Sequence, residues 1–428
     1  MGLFLAVFIM EVIMNDKKRK MIEYAFYKVP FYNQLYNDKF AAWQKHDYDM
    51  KLLPPVSKNM IIGDEEKLLS SDYYAKKNQE NLISCRTSGS TGTCLMIQWD
   101  KSEYTKSLLP LWLERKKAAG ILPWDRYCYF FTTSNYIEKE DIYVEQDRHG
   151  MGFSKSGLSE GSMCEIYEKM LEYNPVWLLL QPSIALLMCN VIRKYNMPKL
   201  PELRYIELSG EMLFPNIRSM IEEILQCTVR NQYGCNEVNS IAYECKYGNL
   251  HCINSNLEVE IISESGEKDD IEGEICVTAF CNHAMPFIRY RTGDIGSILK
   301  GESCKCGNRN PVLKLTKGRL NDFIYSESGE KLTSYIFVHA IDMANIAYGE
   351  CIKQFQIIQT GINKFIIRVV LDEEDMEQFE GISEVIAEHI DHPELKNACY
   401  SFECYTSLEI EVSGKLQYFS NCCKLENI

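Results

Sequence analysis

Seven consecutive residues, Thr87-Ser88-Gly89-Ser90-Thr91-Gly92-Thr93, are each a glycine or a hydroxyl carrier. Glycine lets the backbone approach a ligand closely and take positive φ. Hydroxyls and exposed N–H groups in such a loop converge on phosphate oxygens. The Walker loop G-x-x-x-x-G-K-[ST] would place a lysine directly after Gly92. Here Thr93, Cys94 and Leu95 follow, and Lys101 is too distant. A phosphate-binding loop of another kind is indicated, against the bland reading of a polar linker. A second constellation is Cys245-x5-His251, with Cys252 next, and Cys304-Lys305-Cys306-Gly307. Cys245, His251, Cys304 and Cys306 offer the four soft ligands that a closed, tetrahedral structural zinc site requires. The spacing is not a C-x2-C pair, and chance grouping among 18 cysteines is the competing reading.

Elements must position these residues. Helical spacing dominates the first eighty residues, with Ile22, Phe26 and Tyr27 three to four apart. From about 126, short β-rich runs at 127–132, 176–180, 205–208 and 228–232 alternate with helical stretches at 164–173, 184–195 and 216–226. That alternation predicts an α/β architecture with parallel pairing. Residues 256–316 read as strands and turns, including 257–262, 274–277 and 295–299. The tail predicts a strand pair at 355–359 and 364–371, a helix over 375–390 and a strand at 398–405. The expected fold is a large α/β N-terminal domain, 1–319, with mixed or parallel sheets flanked by helices and a β-rich subdomain. A small, mobile α+β C-terminal domain, 320–428, completes it. No fixed-period repeat is present.

The glycine–hydroxyl loop resembles the phosphate loop of the adenylate-forming superfamily of acyl-CoA ligases and adenylation domains. The superfamily's other signatures follow in its order. Ser209-Gly210-Glu211 stands after a strand, where the resemblance implies backbone packing against adenine. Tyr233-Gly234-Cys235-Asn236-Glu237 is similar to a Tyr-Gly-x-x-Glu segment, implying Tyr233 at the adenine face and Glu237 on magnesium. Tyr290-Arg291-Thr292-Gly293-Asp294 resembles the segment whose Asp holds ribose hydroxyls. Gly318-Arg319-Leu320-Asn321-Asp322 resembles the interdomain hinge whose Arg contacts nucleotide. Asn321 replaces the usual Asp or Lys there with a residue that tolerates left-handed backbone. Ser413-Gly414-Lys415-Leu416 resembles the motif of the C-terminal catalytic lysine.

Val29-Pro30-Phe31-Tyr32, Gln181-Pro182-Ser183 and Met285-Pro286-Phe287-Ile288-Arg289-Tyr290-Arg291 narrow the resemblance to the phenylacetate-CoA ligase-like branch. Many proteins of that branch are similar in the Cys/His arrangement as well. The tail departs from it: the run 326–332 and Phe355-Gln356-Ile357-Ile358-Gln359 are similar to capsule-locus adenylating proteins and coenzyme F synthetases.

The resemblance implies activation of a carboxylic acid by ATP as an acyl-adenylate, with loss of pyrophosphate and then thioester formation with coenzyme A. Lys415, Glu237 and Arg319 would be the catalytic residues, with Mg2+ as cofactor. The tail leaves transfer to an amine, alcohol or carrier-protein arm as the alternative, and a degenerate nucleotide-binding protein as the third reading. The aromatic run 127–134 falls where related ligases line the acyl pocket, which suits an aryl or arylacetic acid. Core packing of the same run is the equal alternative.

Composition restricts the class further. The 428 residues carry a formal charge of −14. That excludes counterion-driven nucleic-acid binding and adsorption to anionic lipid. Hydrophobic content of 46% excludes global disorder. Cysteines scattered through apolar runs (Cys128, Cys189, Cys227, Cys276) behave as small hydrophobes and point to a reducing, cytoplasmic setting. The apolar run 3–10 is too short to span a bilayer. Its positive charges, Lys17 to Lys20, come after it, unlike a signal peptide. A buried helix end or an upstream translation start is the expectation for it.

Overall fold

A computed structural model describes residues 2–86, 95–131, 144–155, 158, 160–213, 215–263, 272–299, 304–319, 323–327, 331–333, 335–349, 351–352, 354–371, 373–390, 392–405, 408 and 419–421. The chain divides into two compact units, residues 1–123 with 230–316, and residues 124–229 with 317–428.

The first unit opens with helices Gly2–Lys28 and Pro30–Lys45. Pro30 sits at the first helical position, where its missing N–H is not needed. Tyr32, Tyr36, Phe40 and Trp43 line the buried stripe of the second helix. They join Trp99, Phe287 and Ile288 in one apolar cluster. Strands Leu82–Arg86 and Met96–Asp100 pair antiparallel on either side of the glycine–hydroxyl loop, which itself lies outside the described residues. The unit's main strands run in the order Leu257–Ile262, Gly273–Ala279, Tyr290–Leu299, Val312–Arg319, Leu250–Cys252, Asn239–Glu244, Thr228–Cys235. Their pairing is antiparallel where residues 257–279, 239–252 and 228–244 meet.

Two local devices aim this sheet. The register slips between Tyr233 and Gly234, and a Cβ on Gly234 would stand 2.2 Å from the Asn239 carbonyl oxygen. Only glycine lets the two backbones come so close, and the ladder then continues to Cys235 opposite Asn239 before the turn at 236–238. Arg289 is held at φ 48, a left-handed conformation uncommon for a long side chain. Its guanidinium grips Glu260 through Nε (2.8 Å) and Nη2 (2.9 Å), while Nη1 donates to the carbonyls of Met50 and Leu53. Val56 donates its N–H to the Arg289 carbonyl, and Arg291 returns one to Val56, so residue 290 is pinned on both sides.

The second unit is parallel at its centre. Tyr205–Ser209, Trp177–Leu180, Tyr127–Phe131 and Gly150–Ser154 pair parallel in that order, with Val144–Gln146 antiparallel at the edge. Trp177-Leu178-Leu179-Leu180 is the continuous apolar run expected of a strand covered on both faces. Helices Glu160–Tyr173, Pro182–Tyr195 and Pro215–Leu225 alternate with these strands. Asn196 closes the second helix at φ 48, in the left-handed cap position. Gly150 and Gly152 lie beside Tyr127 and Tyr129, and any Cβ on Gly152 would stand 2.7 Å from the Tyr129 ring.

The same unit carries a separate four-stranded sheet in the order Cys399–Tyr405, Lys364–Val370, Gln354–Gly361, Phe419–Asn421. Helices Tyr335–Tyr348 and Phe379–His389 accompany it. The Gln359 side chain accepts from the Tyr325 N–H (3.0 Å) and donates to its carbonyl (2.8 Å). An amide thus stands in for a ladder residue between Phe323–Tyr325 and the sheet.

The α/β class with sheets flanked by helices and a separate small C-terminal sheet is as expected. The helix expected over 375–390 is split: Glu373–Gln378 is a 3-10 turn and the α-helix proper is Phe379–His389. Three consecutive acidic residues, Glu373 to Asp375, open that turn, and they leave no apolar stripe to extend the helix back. The apolar run 3–10 lies within the first helix. Among the described residues, no helix is long and apolar enough to cross a membrane.

Replacing Arg289 by Met leaves Glu260 and two carbonyls without their donor. Loss of one partner of a largely buried pair costs about 3 kcal/mol, which urea unfolding of the variant beside the parent chain will read.

Candidate active site

Glu237 follows the bulged end of the Thr228–Cys235 strand and is 6% exposed. A buried carboxylate needs hydrogen-bond partners. Tyr290, 2% exposed and first in its strand, donates its hydroxyl to Glu237 Oε1 at 2.8 Å. The Cys235 thiol lies near the carboxylate. Burial, and then the Glu237 charge, push that thiol well above its usual value. Asn236 between them accepts from Trp99 Nε1 at 3.0 Å, which fixes the turn.

The second carboxylate answers the first. Tyr233 donates its hydroxyl to Asp294 Oδ2 at 2.7 Å and lies 3.3 Å from Thr292 Oγ1. Burial, and then the Asp294 charge, hold the Tyr233 phenol well above its ordinary range, so it stays a donor. Asp294 is aimed by a tight turn in which Gly293 takes φ +81 and the Asp294 N–H bonds Thr292 Oγ1 at 3.2 Å. Arg291 pairs with Glu274, whose carboxyl is raised by burial. Segments 233–237 and 290–294 therefore exchange tyrosine–carboxylate bonds in both directions. The arrangement can present one carboxylate edge to a divalent cation and accept hydroxyl donors on the other.

Ser209-Gly210-Glu211 lies in the second unit, at the end of the Tyr205–Ser209 strand. Gly210 takes φ +85. Glu211 is held by the Ser183 N–H (2.9 Å) and hydroxyl (2.8 Å), so this carboxylate serves the loop itself. Gly234 forms the bulge described above. Arg319 is the last residue of the Val312–Arg319 strand. Thr87, Ser88, Gly89, Ser90, Thr91, Gly92, Thr93 and Lys415 lie outside the described residues, as do Leu320, Asn321 and Asp322 of the hinge motif. In the aromatic run, Cys128 and Phe130 pack into the core of the second unit, while Tyr127 stacks on Trp177 with centroids 4.7 Å apart. Residues 132–134 are outside the described residues.

The Cys/His constellation does assemble: one ligand atom each from Cys245, His251, Cys304 and Cys306 fall within 4.8 Å of one another. Cys245 and Cys304 sulfurs are 3.7 Å apart, close to the edge of about 3.8 Å that follows from zinc–sulfur bonds of about 2.3 Å in a tetrahedron. Cys306 Sγ stands 3.3 Å from His251 Nε2. His251 Nδ1 faces the Asn310 carbonyl at 2.9 Å, an outer contact that leaves Nε2 as the ligating nitrogen. Backbone N–H groups of Tyr247 and Asn308 point at the Cys245 and Cys306 sulfurs. Gly248 (φ +78) and Gly307 (φ +83) make the turns that permit this. The Cys304 thiol is lowered to about 6, first by the Cys306 backbone N–H, with bonds from Cys306, His251 and Asn249. Burial pushes Cys306 up to about 11. The donor set and spacing fit zinc.

Sequence reasoning singled out these four residues as candidate ligands but not Asn310, Asn249 or Asn308 around them, whose types carry no such signal. It quoted Tyr290 only as part of a motif, with no role.

The CapK C-terminal domain family matches residues 324–421. The chain is 22% identical over 367 residues to phenylacetate-coenzyme A ligase of Thermus thermophilus, covering 82% of this chain and 78% of that protein. It is 25% identical over 373 residues to protein CapK of Staphylococcus aureus, covering 84% and 78%. Among solved structures, 2-hydroxyisobutyryl-CoA ligase in the postadenylation state with 2-HIB-AMP aligns at TM-score 0.72 and 16% identity, covering 95% of this chain and 88% of that one. The amide bond synthetase McbA of Marinactinospora thermotolerans aligns at TM-score 0.53 and 16% identity, covering 78% and 68%. The chain is thus similar over most of its length to phenylacetate-coenzyme A ligase and to protein CapK, shares the fold of 2-hydroxyisobutyryl-CoA ligase, and matches the CapK C-terminal domain family over residues 324–421.

Proposed function

We propose that the chain activates a carboxylic acid with ATP as an acyl-adenylate, releasing pyrophosphate, and then passes the acyl group to coenzyme A. The observation that carries this reading is the convergence of Glu237, Tyr233 and Asp294 in one unit, each carboxylate braced by a tyrosine hydroxyl. A carboxylate is a poor electrophile, so its oxygen attacks the α-phosphate and expels pyrophosphate. Catalysis of that step is positioning and charge neutralisation. Glu237 would hold Mg2+, a hard cation suited to carboxylate oxygen, and the metal supplies charge neutralisation at the phosphates. Asp294 accepts ribose hydroxyls and Tyr233 bounds the adenine. On the family resemblance, residues 87–93 cradle the β- and γ-phosphates, and Ser209-Gly210-Glu211 lines the adenine. Arg319 contacts the nucleotide, and Lys415 bridges the acid and the α-phosphate. The division at 319/320, with a mobile C-terminal domain that carries Lys415, belongs to the same reading, as does an aryl or arylacetic acid. A second reading, transfer to an amine, alcohol or carrier-protein arm, is favoured by the CapK-type match over residues 324–421. A structural zinc at Cys245, His251, Cys304 and Cys306 would tie residues 245–252 to 304–310 without an open position for chemistry.

Three outcomes are expected. Radiolabelled pyrophosphate exchange into ATP, screened over carboxylic acids, is acid-dependent, and Lys415→Ala and Glu237→Gln each lower it about 100-fold. Exchange that survives both substitutions unchanged contradicts the mechanism. With the best acid, adding coenzyme A gives a thioester by mass spectrometry; exchange without thioester assigns the second reading instead. Elemental analysis of the purified chain finds one zinc, lost in Cys304→Ser together with a lowered Tm; a metal-free parent chain of the same Tm removes the zinc.

A further inference from the structure

The hydroxyl of Tyr290 is committed to one oxygen of Glu237. The bond is 2.8 Å long and joins two side chains with almost no exposure. Tyr290 cannot relax away from this contact, because its ring packs edge-on to Phe287 at 5.0 Å. Its backbone is also pinned between the Arg289 carbonyl and Arg291 N–H bonds to Val56. A free glutamate rotates about its terminal torsion and presents either oxygen. A glutamate whose Oε1 is held by a fixed donor keeps one orientation of that torsion, which leaves Oε2 as the oxygen without that bond.

We propose that Tyr290 is a positioning residue: it holds Glu237 in one rotamer so that Oε2 is offered, without reorganisation, to the divalent cation that accompanies the nucleotide. This rests on Glu237 being the cation ligand, as proposed above, and adds a residue that acts through Glu237. Preorganisation of this sort acts on cation affinity more than on the fold, because Tyr290→Phe keeps the ring and its packing and removes one donor to a charged acceptor. Such a bond corresponds to about tenfold in an equilibrium constant.

The test uses the full-length chain, Mn2+ as the probe cation and α,β-methylene-ATP as the nucleotide, with bound Mn2+ counted by electron paramagnetic resonance. Tyr290→Phe is expected to weaken Mn2+ binding about tenfold. Calorimetry without metal should give the parent chain's nucleotide affinity. Tyr32→Phe is the control. Its hydroxyl is equally buried and bonds the Pro286 carbonyl and the Ile288 N–H in the same loop, so it should lower Tm and leave Mn2+ affinity unchanged. Equal Mn2+ affinity in Tyr290→Phe and parent overturns the proposal, and so does an equal loss in Tyr32→Phe. If Tyr290→Phe does not fold, Phe287→Leu, which frees the Tyr290 ring, carries the test, with an expected loss of about threefold and no loss overturning it. A parent chain that binds no Mn2+ with nucleotide overturns the functional reading as well. A parent that binds it normally while Tyr290→Phe matches it overturns only the role of Tyr290.

Discussion

Two carboxylates taken largely out of water need compensating donors, and this chain meets the need by a trade between two segments. Tyr290 of one segment satisfies Glu237 of the other, and Tyr233 of the second satisfies Asp294 of the first. An unpaired buried carboxylate would shift toward its neutral form or force the site open. With the trade in place, both stay where a polyanionic ligand and its counter-cation would need them. Much of the first unit reads as support for that exchange. The turn after Cys235 carries Glu237 out of the ladder, and the Arg289 anchor fixes the backbone that bears Tyr290.

The Cys/His cluster follows the same logic with softer atoms. Thiolate sulfurs are poor at holding position on their own, so the chain surrounds them with N–H donors from Tyr247, Asn308 and Asn249, and sets the imidazole with a carbonyl. The four candidate ligands come from two stretches some fifty residues apart, joined through the short pairing of Leu250–Cys252 with Val312–Arg319. Ligand types are fixed by chemistry, whereas their geometry is fixed by turns that only glycine makes cheaply.

What could be read in advance depended on whether a signal was local. Strand 257–262 was legible residue for residue, and the parallel core strands to within a few residues, because buried parallel strands are short apolar runs between turn residues. Helix Tyr335–Tyr348 was not anticipated: Ile336, Phe337, Val338, Ala340, Ile341 and Ala344 leave too little polar face to show a period. The 239–244 and 250–252 strands were missed as well, since each is short and carries polar residues inside. At the site, Glu237, Tyr233 and Asp294 were legible through motif order. Their mutual bonds were not, because hydrogen-bond pairing across some sixty residues leaves no trace in composition.

The ring-bearing face of the parallel sheet has an asymmetry of its own. Tyr127 and Tyr129 lie across a neighbouring strand whose matching positions are Gly150 and Gly152. Any side chain there would lift the rings off the backbone and, through the Tyr127–Trp177 stack, disturb the adjoining strand. A methyl group at Gly152 therefore clashes with the Tyr129 ring, and one at Gly150 presses on Tyr127, although neither glycine needs unusual torsion angles. Steric thickness, and not flexibility, is what fixes these two glycines.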